Sequence, residues 1–286
     1  MIPVRLSGDK EALSGARFAL LLESLSRHWT DAAPLKMTVV GRADELGALR
    51  RWAGWRSSLE LYFLDEREFL RHPGFDALAG WYKQIFLKLL FAEVCTSDAY
   101  LYLDADIICV RPIGRENLVC DGKALSDWEP KATHPGWWAA SRRMLGGAEA
   151  GSEWGLAVTP NVFTRQVACA IPAAVAAATS RDPIEALIAA TGFDGVDGWV
   201  EQGLYTELGE ITGDLARLHT PKSRAVQFHS PADVWDAGQL PSWRPLQALA
   251  ERPDVRLMVV QSTLKLSPTW LRLRLAPRLY WPSRRP

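Results

Sequence analysis

Asp104 and Asp106, two carboxylates one residue apart, are the side chains of this sequence best suited to metal chemistry. They follow an apolar run over residues 100–103, which indicates a strand buried on both faces, as in the middle of a parallel sheet. Side chains two residues apart on a strand project to the same side, and ligands bind beyond the carboxyl ends of strands in an open α/β sheet. Two hard oxygen ligands on one side can hold a divalent cation against a diphosphate. The alternative is a pair that caps the strand and faces solvent.

A helix is predicted directly before this strand, over residues 80–92. At helical spacing, one face of this helix carries Trp81, Gln84 and Lys88, opposite an apolar stripe. The apolar stripe contains Tyr82, Ile85, Phe86 and Leu89. The polar face could reach a phosphate or a sugar, whereas the ordinary alternative is the solvated face of an amphipathic helix.

The aromatic strand with its Asp-x-Asp ending resembles the signature of GT-A glycosyltransferases, where this motif grips a metal-bound nucleotide sugar. The segment Trp81-Tyr82-Lys83-Gln84 before such a strand is similar to that of a group of uncharacterised bacterial glycosyltransferases, and the resemblance covers residues 80–112. It implies Mn²⁺ or Mg²⁺, a nucleotide-sugar donor with a UDP-sugar as first choice, and a glycan or glycolipid acceptor. Gln84, Lys88 and Asp104 would then contact the donor.

The order of the elements favours the same architecture. Strands are predicted over residues 2–6, 35–40 and 59–64, and helices over residues 11–28 and 43–52. Alternating strands and helices with short links favour a doubly wound, mostly parallel α/β sheet flanked by helices, of GT-A type and with a single main domain. The expected domain boundaries are a main domain over 1–240, with a nucleotide-sugar half over 1–112 and an acceptor half over 113–240, and a C-terminal extension over 241–286.

In the GT-A fold the loop after the first strand holds the base and ribose, which makes Ser7 and Asp9 candidates for donor binding. An ordinary turn before a helix is the alternative for this segment. The patterns Gly-x-Gly-x-x-Gly and Gly-x-x-x-x-Gly-Lys-Ser/Thr are both absent from the sequence. Their absence disfavours a dinucleotide fold and a P-loop.

The segment Glu201-Gln202-Gly203-Leu204 is similar to the carboxylate-Gln-Gly-Leu segment of glycogenin-like transferases, where the acidic residue and the glutamine lie near the donor sugar. That family more often has Asp, so Glu201 is longer by a methylene. A carboxylate there can act as a general base or stabilise an oxocarbenium-like centre. Glu201 is the first catalytic candidate, Asp197 the second, and Gln202 a donor ligand. The alternative for Glu201 is a carboxylate that the helix macrodipole favours at a helix N-terminus.

His229 follows an apolar run late in the chain. In many GT-A enzymes a late histidine completes the metal site, and an imidazole suits manganese better than magnesium. The lysine that usually follows it is missing, and Lys222 and Arg224 could substitute for it. A histidine satisfied within a turn is the alternative.

Tryptophans are concentrated after the acidic pair, and sugar rings stack on indoles, so an acceptor site is expected in this region. Core packing is the alternative for each of them: Trp128, Trp137, Trp138 and Trp154. Asn161, at the end of a predicted strand, could bind a sugar hydroxyl.

Composition sets the outer limits on function. The formal net charge is zero, so no global electrostatic attraction to nucleic acid is expected. The four cysteines lack C-x-x-C spacing, which indicates thiols in a reducing compartment. No apolar segment reaches bilayer-spanning length, and a cytoplasmic location is predicted.

Two other functions fit parts of the pattern. A haloacid-dehalogenase-type phosphatase also has a strand ending in Asp-x-Asp, with the first aspartate as nucleophile. That motif normally opens the chain and has Thr or Val after the second Asp, whereas Ile107 follows here. A sugar-binding relative without catalysis would have lost metal ligands, and both aspartates are present.

The C-terminal residues 264–286 carry six basic residues and no Asp or Glu. The basic residues alternate with leucines and aromatic rings, a mixture typical of a membrane interface. Peripheral contact of 264–286 with the inner face of a membrane is therefore one prediction. A tail that packs back over an acidic patch of the transferase domain, or that mediates a dimer contact, is the other.

Overall fold

The computed structural model describes residues 1–6, 11–147, 151–192, 197–221 and 231–280. In chain order the strands are β1 (Ile2–Pro3), β2 (Leu35–Gly41), β3 (Leu59–Asp65), β4 (Ala99–Tyr102), β5 (Ile107–Cys109), β6 (Val119–Cys120), β7 (Lys123–Ala124), β8 (Trp128–Pro130), β9 (Trp154–Leu156), β10 (Asn161–Thr164) and β11 (Leu257–Val259). The α-helices are α1 (Glu11–His28), α2 (Leu46–Ala53), α3 (Pro73–Asp76), α4 (Gly80–Leu90), α5 (Pro135–Met144), α6 (Arg165–Thr179), α7 (Pro183–Ala189), α8 (Glu201–Thr212), α9 (Asp214–Leu218), α10 (Pro245–Glu251), α11 (Pro268–Arg274) and α12 (Ala276–Leu279). Short 3-10 turns cover Glu66–Glu68, Phe91–Glu93, Arg115–Asn117, Lys131–Thr133, Ala237–Ser242 and Ser262–Leu264.

The chain forms two compact units, each built from separate stretches of sequence. Unit 1 contains Met1, Glu66–Tyr102 and Val119–Ala225, and unit 2 contains Ile2–Asp65, Leu103–Leu118 and Val226–Pro286. Both combine helices and strands, so the chain is a mixed α/β protein. The domain boundaries inferred from the sequence stay a prediction.

Unit 2 contains a parallel three-stranded sheet in the order β1-β2-β3, with Ile2 opposite Val39 and Leu35 opposite Leu59. The helices α1 and α2 connect these strands, which confirms the predicted β-α-β-α-β order over the first 65 residues. Helix α1 has the predicted bounds, and its leucines Leu20, Leu21, Leu22 and Leu25 are buried. A Cβ at Gly15 would lie 2.3 Å from the Trp52 indole, so the missing side chain lets α2 pack closely on α1.

The rest of unit 2 is a second core layer, in which β5 pairs antiparallel with β11. Leu20 of α1 and Ile108 of β5 pack there together with side chains from the C-terminal helices. The shared core cluster contains Leu20, Ile108, Val110, Ala232, Val234, Trp243, Leu249, Val255, Met258, Val260, Leu271, Leu275 and Leu279.

Unit 1 contains the aromatic strand β4, which pairs with β10 in an antiparallel register, Tyr102 opposite Asn161. A parallel neighbour was the expectation, and it does not hold for this pair. An apolar run reports burial but carries no information on the direction of the neighbouring strand. The two tyrosines of β4 are buried, with Tyr100 packed edge-to-face on Phe163 of β10 at 6.0 Å between ring centroids.

Parallel pairing of named strands within the described ranges is confined to β1-β2-β3. Within the same ranges, no helix combines the length and the apolar composition that a bilayer crossing requires. All four cysteines are free thiols, of which Cys95 and Cys109 are buried.

Candidate functional site

The two aspartates lie in the connection between β4 and β5. Strand β4 ends at Tyr102 and β5 begins at Ile107, whose N–H donates to the Asp104 carbonyl at 3.2 Å. Because the chain turns here, strand alternation does not set the directions of the two side chains, contrary to the sequence argument. Both residues are half-buried.

Asp106 is held in place by backbone donors within unit 2. Its Oδ2 accepts the N–H of Ser262 at 3.0 Å, and its carbonyl accepts the N–H of Val260 at 3.0 Å. Arg17 is buried nearby and donates from Nη1 to the Val260 carbonyl at 2.7 Å. Burial lowers the pKa of Arg17, and the negative charge of Asp106 opposes that lowering. A buried cation thus already acts on one of the two predicted metal ligands.

The chemistry of the two carboxylates fits Mg²⁺ or Mn²⁺. Such ions bind to one or two carboxylates and take water or substrate phosphate at the remaining positions. Among the described residues, no cluster of three or more His, Cys, Asp or Glu side chains is arranged to hold a metal. The predicted third ligand, His229, lies outside the described residues.

Lys88 of α4 and Glu201 of α8 form a buried ion pair in unit 1. The distance from Lys88 Nζ to Glu201 Oε1 is 3.2 Å, and each residue is only 4% exposed. Lys88 Nζ also lies 5.6 Å from the ring centroid of Tyr102, the last residue of β4. Lys88 was expected on a polar helix face and Glu201 near a donor sugar, and the structure brings these two residues together. A buried charge requires such a partner, because an isolated one is strongly disfavoured.

Close helix packing positions Glu201. It is the first residue of α8, where a carboxylate is favoured by the helix macrodipole. Two residues later, a Cβ on Gly203 would lie 2.3 Å from Ser141 Oγ of α5, so glycine allows α8 to approach that helix. Gln202 is also buried, which follows from the burial of the whole first half of α8.

Asp197 and Gln84 are more accessible than the ion pair. Asp197 is exposed in the segment before α8, and Gln84 is half-buried on α4. The Tyr82 hydroxyl, also on α4, accepts the N–H of Gly192 at 2.7 Å. Burial raises the pKa of Tyr82, and the negative charge of Asp197 adds to this effect. A Cβ on Gly198, the next residue, would lie 2.2 Å from the Tyr82 hydroxyl, so Asp197 is near the beginning of α4.

The tryptophans of unit 1 divide into core and surface residues. Trp138 is fully buried, and its ring lies against Gly155. Trp137 stacks on His134, with 3.9 Å between centroids and 21° between planes, and lies 6.1 Å from the exposed Trp81. We call His134, Trp137 and Trp81 the aromatic surface. Flat accessible rings of this kind are suited to the apolar face of a sugar.

Asn161 has a structural role, contrary to the expectation that it could bind a sugar hydroxyl. It is fully buried, and its Nδ2 donates to the carbonyls of Asp127 at 3.1 Å and Ala157 at 3.2 Å. These bonds close the turn that leads into β10. The polar residue at a strand end signalled a loop, but the sequence did not show that the loop is buried.

Other predicted site residues lie outside the described residues: Ser7, Asp9, Lys222, Arg224 and His229. His219 was not among the predicted residues, and its ring connects the hydroxyls of Ser126 and Tyr205 inside unit 1. The pairing of Lys88 with Glu201 was not predicted either, because no spacing rule joins residues so far apart in the chain.

The architecture is similar to that of a known transferase. The crystal structure of mouse xyloside xylosyltransferase 1, in its apo form, matches with a TM-score of 0.51 at 14% identity, over 90% of this chain and 96% of that chain. At this identity the likeness shows a shared, glycosyltransferase-like fold and nothing finer. No curated protein matches the chain. The model of a family of unknown function, DUF6492, matches residues 1–281, and the chain therefore belongs to that family.

Proposed function

We propose that this chain is a metal-dependent glycosyltransferase, which moves a sugar from a nucleotide-diphosphate donor to a hydroxyl of a glycan or glycolipid acceptor. The supporting observation is an Asp-x-Asp pair directly after β4, in a chain that shares its fold with a xylosyltransferase over 90% of its length. Both aspartates are partly accessible, as a metal-binding role requires.

Asp104 and Asp106 would hold Mn²⁺ or Mg²⁺, with His229 as a further ligand. A bound cation neutralises charge on the leaving diphosphate. The backbone N–H of Ser262 fixes one oxygen of Asp106, which limits the rotation of this carboxylate before any ligand arrives. Ser7, Asp9, Gln84 and Gln202 are the proposed donor contacts, with a UDP-sugar as the first donor to test.

Glu201 is the first choice for a carboxylate beside the reacting carbon. Lys88 fixes its orientation through the 3.2 Å ion pair and keeps its charge compensated. Asp197 remains the second choice, and its exposure makes it the more accessible of the two carboxylates. For the acceptor, the aromatic surface of His134, Trp137 and Trp81 offers rings on which a sugar can stack.

The test is donor cleavage by the purified full chain. A panel of nucleotide sugars is incubated with the chain in the presence and absence of Mn²⁺, and the released nucleoside diphosphate is measured. We expect release from at least one donor only with the metal. Asp104→Asn and Asp106→Asn should each reduce it at least about a hundredfold, since the ion contributes several kcal/mol to the transition state. The control is Asp44→Asn, an exposed aspartate that pairs with Arg42.

Two results would contradict the proposal. Comparable turnover by Asp106→Asn and the original chain at equal Mn²⁺ would remove the acidic pair from the mechanism. Release of inorganic phosphate from sugar phosphates, with no cleavage of any nucleotide sugar, would favour a phosphatase instead.

A further inference from the structure

The two faces of α11, in unit 2, differ sharply in their surroundings. Leu271, together with Leu275 just after the helix, is buried in the core of unit 2. On the opposite face Leu273 is 74% exposed and Trp270 is 43% exposed, and Arg274 is exposed beside them. Leu271 and Leu275 thus pack into the protein, whereas Leu273 is in solvent. The Trp270 ring lies 5.9 Å from the Trp243 ring between centroids and is otherwise exposed.

Arg272 of α11 belongs to a group of arginines around Glu23. Glu23 of α1 accepts from Arg272 at 2.9 Å and from Arg27 at 3.4 Å. Burial lowers the pKa of Arg56. The negative charge of Glu23 opposes this effect, and the positive charges of Arg27 and Arg272 lower the pKa further. Glu23 therefore pairs with two guanidinium groups, and Arg56 is a third arginine near them that donates to the Ala19 carbonyl. The preceding residue, Trp55, is 87% exposed.

A second group of arginines lies around the end of α12. Burial lowers the pKa of Arg111, and the positive charges of Arg278 and Arg256 lower it further, while Asp254 opposes them. Asp254 is already paired with Arg252 at 2.8 Å. Residues 264–280 contain Lys and Arg but no acidic residue. Positive charge is thus concentrated locally on a chain whose formal net charge is zero.

We propose that unit 2 docks on the headgroup layer of an anionic lipid bilayer through a docking surface that consists of Trp270, Leu273 and Arg274 with Arg272 and Arg27. The basic side chains match the negative charge of the headgroups, and exposed Trp and Leu side chains gain by entering the interface. A nucleic acid would satisfy the arginines but would leave Leu273 without an apolar partner. The apolar residues therefore favour lipid. The proposal is independent of the proposed enzymatic function.

The test is sedimentation of the full chain with lipid vesicles. Wild type is expected to pellet with vesicles of phosphatidylcholine mixed with phosphatidylglycerol at low salt, and far less with pure phosphatidylcholine or at high salt. Each basic residue at the surface contributes about fivefold in partition. The double variant Leu273→Ser/Arg274→Ser should therefore lose at least about tenfold. Deletion of the segment is unsuitable, because it would also remove core leucines.

A matched control removes the same two side-chain types elsewhere. Ile211 is 50% exposed and Arg71 is exposed, both in unit 1, so Ile211→Ser/Arg71→Ser changes charge and exposed apolar area in the same way. Thermal melts should show both variants folded, since neither pair is in a core. Absence of wild-type pelleting, equal pelleting by the two double variants, or tighter wild-type binding to duplex RNA or DNA than to anionic vesicles would each overturn the proposal.

Discussion

His219 is an almost completely buried histidine. Its Nε2 lies 2.6 Å from the Tyr205 hydroxyl and its Nδ1 lies 2.5 Å from Ser126 Oγ, in the interior of unit 1. Burial lowers the pKa of His219 to about 3, so the ring is neutral at pH 7. The Tyr205 hydroxyl also accepts the N–H of Thr164 at 2.9 Å and can donate to Nε2, which leaves Nδ1–H to donate to Ser126.

This geometry predicts a fold that is sensitive to mild acid. The ordinary pKa of histidine, near 6.5, applies in the unfolded chain and lies above the folded value. The unfolded state therefore binds a proton first as the pH falls below about 6.5, and stability decreases with falling pH. Between pH 7.5 and 5.5 we expect His219 to reduce the free energy of unfolding by about 1.4 kcal/mol, measured by urea denaturation.

The comparison variant is His219→Gln, which should flatten this slope. Part of the slope should persist, because burial also lowers the pKa of His28, to about 4. An unchanged pH dependence in His219→Gln would show that this ring does not control the acid response.

For single residues, the sequence predicts which side chains lie close together along the chain, but it does not predict their contacts with distant residues. The proximity of Asp104 to Asp106 follows from their spacing, whereas the backbone donor to Asp106 comes from Ser262, far away in the chain. Asn161 was expected to be able to contact a ligand and is instead part of a buried turn. A polar residue at a strand end is compatible with both.

At the scale of elements, the ion pair of Lys88 and Glu201 joins α4 to α8, and both residues are almost fully buried. Removal of one partner from such a pair leaves an uncompensated charge in the interior. Lys88→Met should therefore reduce the free energy of unfolding by about 3–5 kcal/mol, whereas Lys88→Met/Glu201→Gln should recover a large part of the loss. Lys83→Met on the same helix is the control, because Lys83 is only half-buried and donates to a backbone carbonyl at 2.8 Å.

Urea unfolding of wild type, Lys88→Met, Glu201→Gln and the double variant measures the coupling. Donor cleavage by Glu201→Gln separates the two roles of the carboxylate. A strong loss of turnover with donor affinity retained supports action at the transition state. If the double variant is less stable than Lys88→Met alone, the ion pair does not explain the burial of these residues.

Helices α1, α2 and α4 and the first three strands were accessible to prediction because each depends on local periodicity. Helix α1 has the expected bounds, and the order of elements up to Asp65 is as expected. The antiparallel partner of β4 was not accessible, because β10 arrives after a long stretch of chain and periodicity does not encode strand direction. The same limit applies to the Lys88–Glu201 pair, which depends on the packing of α4 and α8.

At the scale of the whole molecule, residues from near both ends of the sequence form unit 2. The sequence shows that the C-terminal segment is basic and has no acidic residue. However, Leu271, Leu275 and Leu279 share a core with Leu20 of α1, and Arg17 of the same helix donates to the carbonyls of Val260 and Leu266. Local sequence patterns cannot reveal a core whose parts are separated by most of the chain.

Two leucines on opposite faces of α11 test this arrangement. Leu271 is 1% exposed and Leu273, on the same helix, is 74% exposed. Leu271→Ala leaves a cavity in the core of unit 2 and should reduce the free energy of unfolding by about 2–5 kcal/mol, whereas Leu273→Ala should change it by no more than about 0.5 kcal/mol. Urea denaturation of the full-length variants gives both values.

Similar small effects for the two substitutions would mean that α11 lies on the surface without contributing to the core. A chain that ends at Gln261 would then fold normally. If Leu271→Ala alone is destabilising, the C-terminal helices are part of the folded unit.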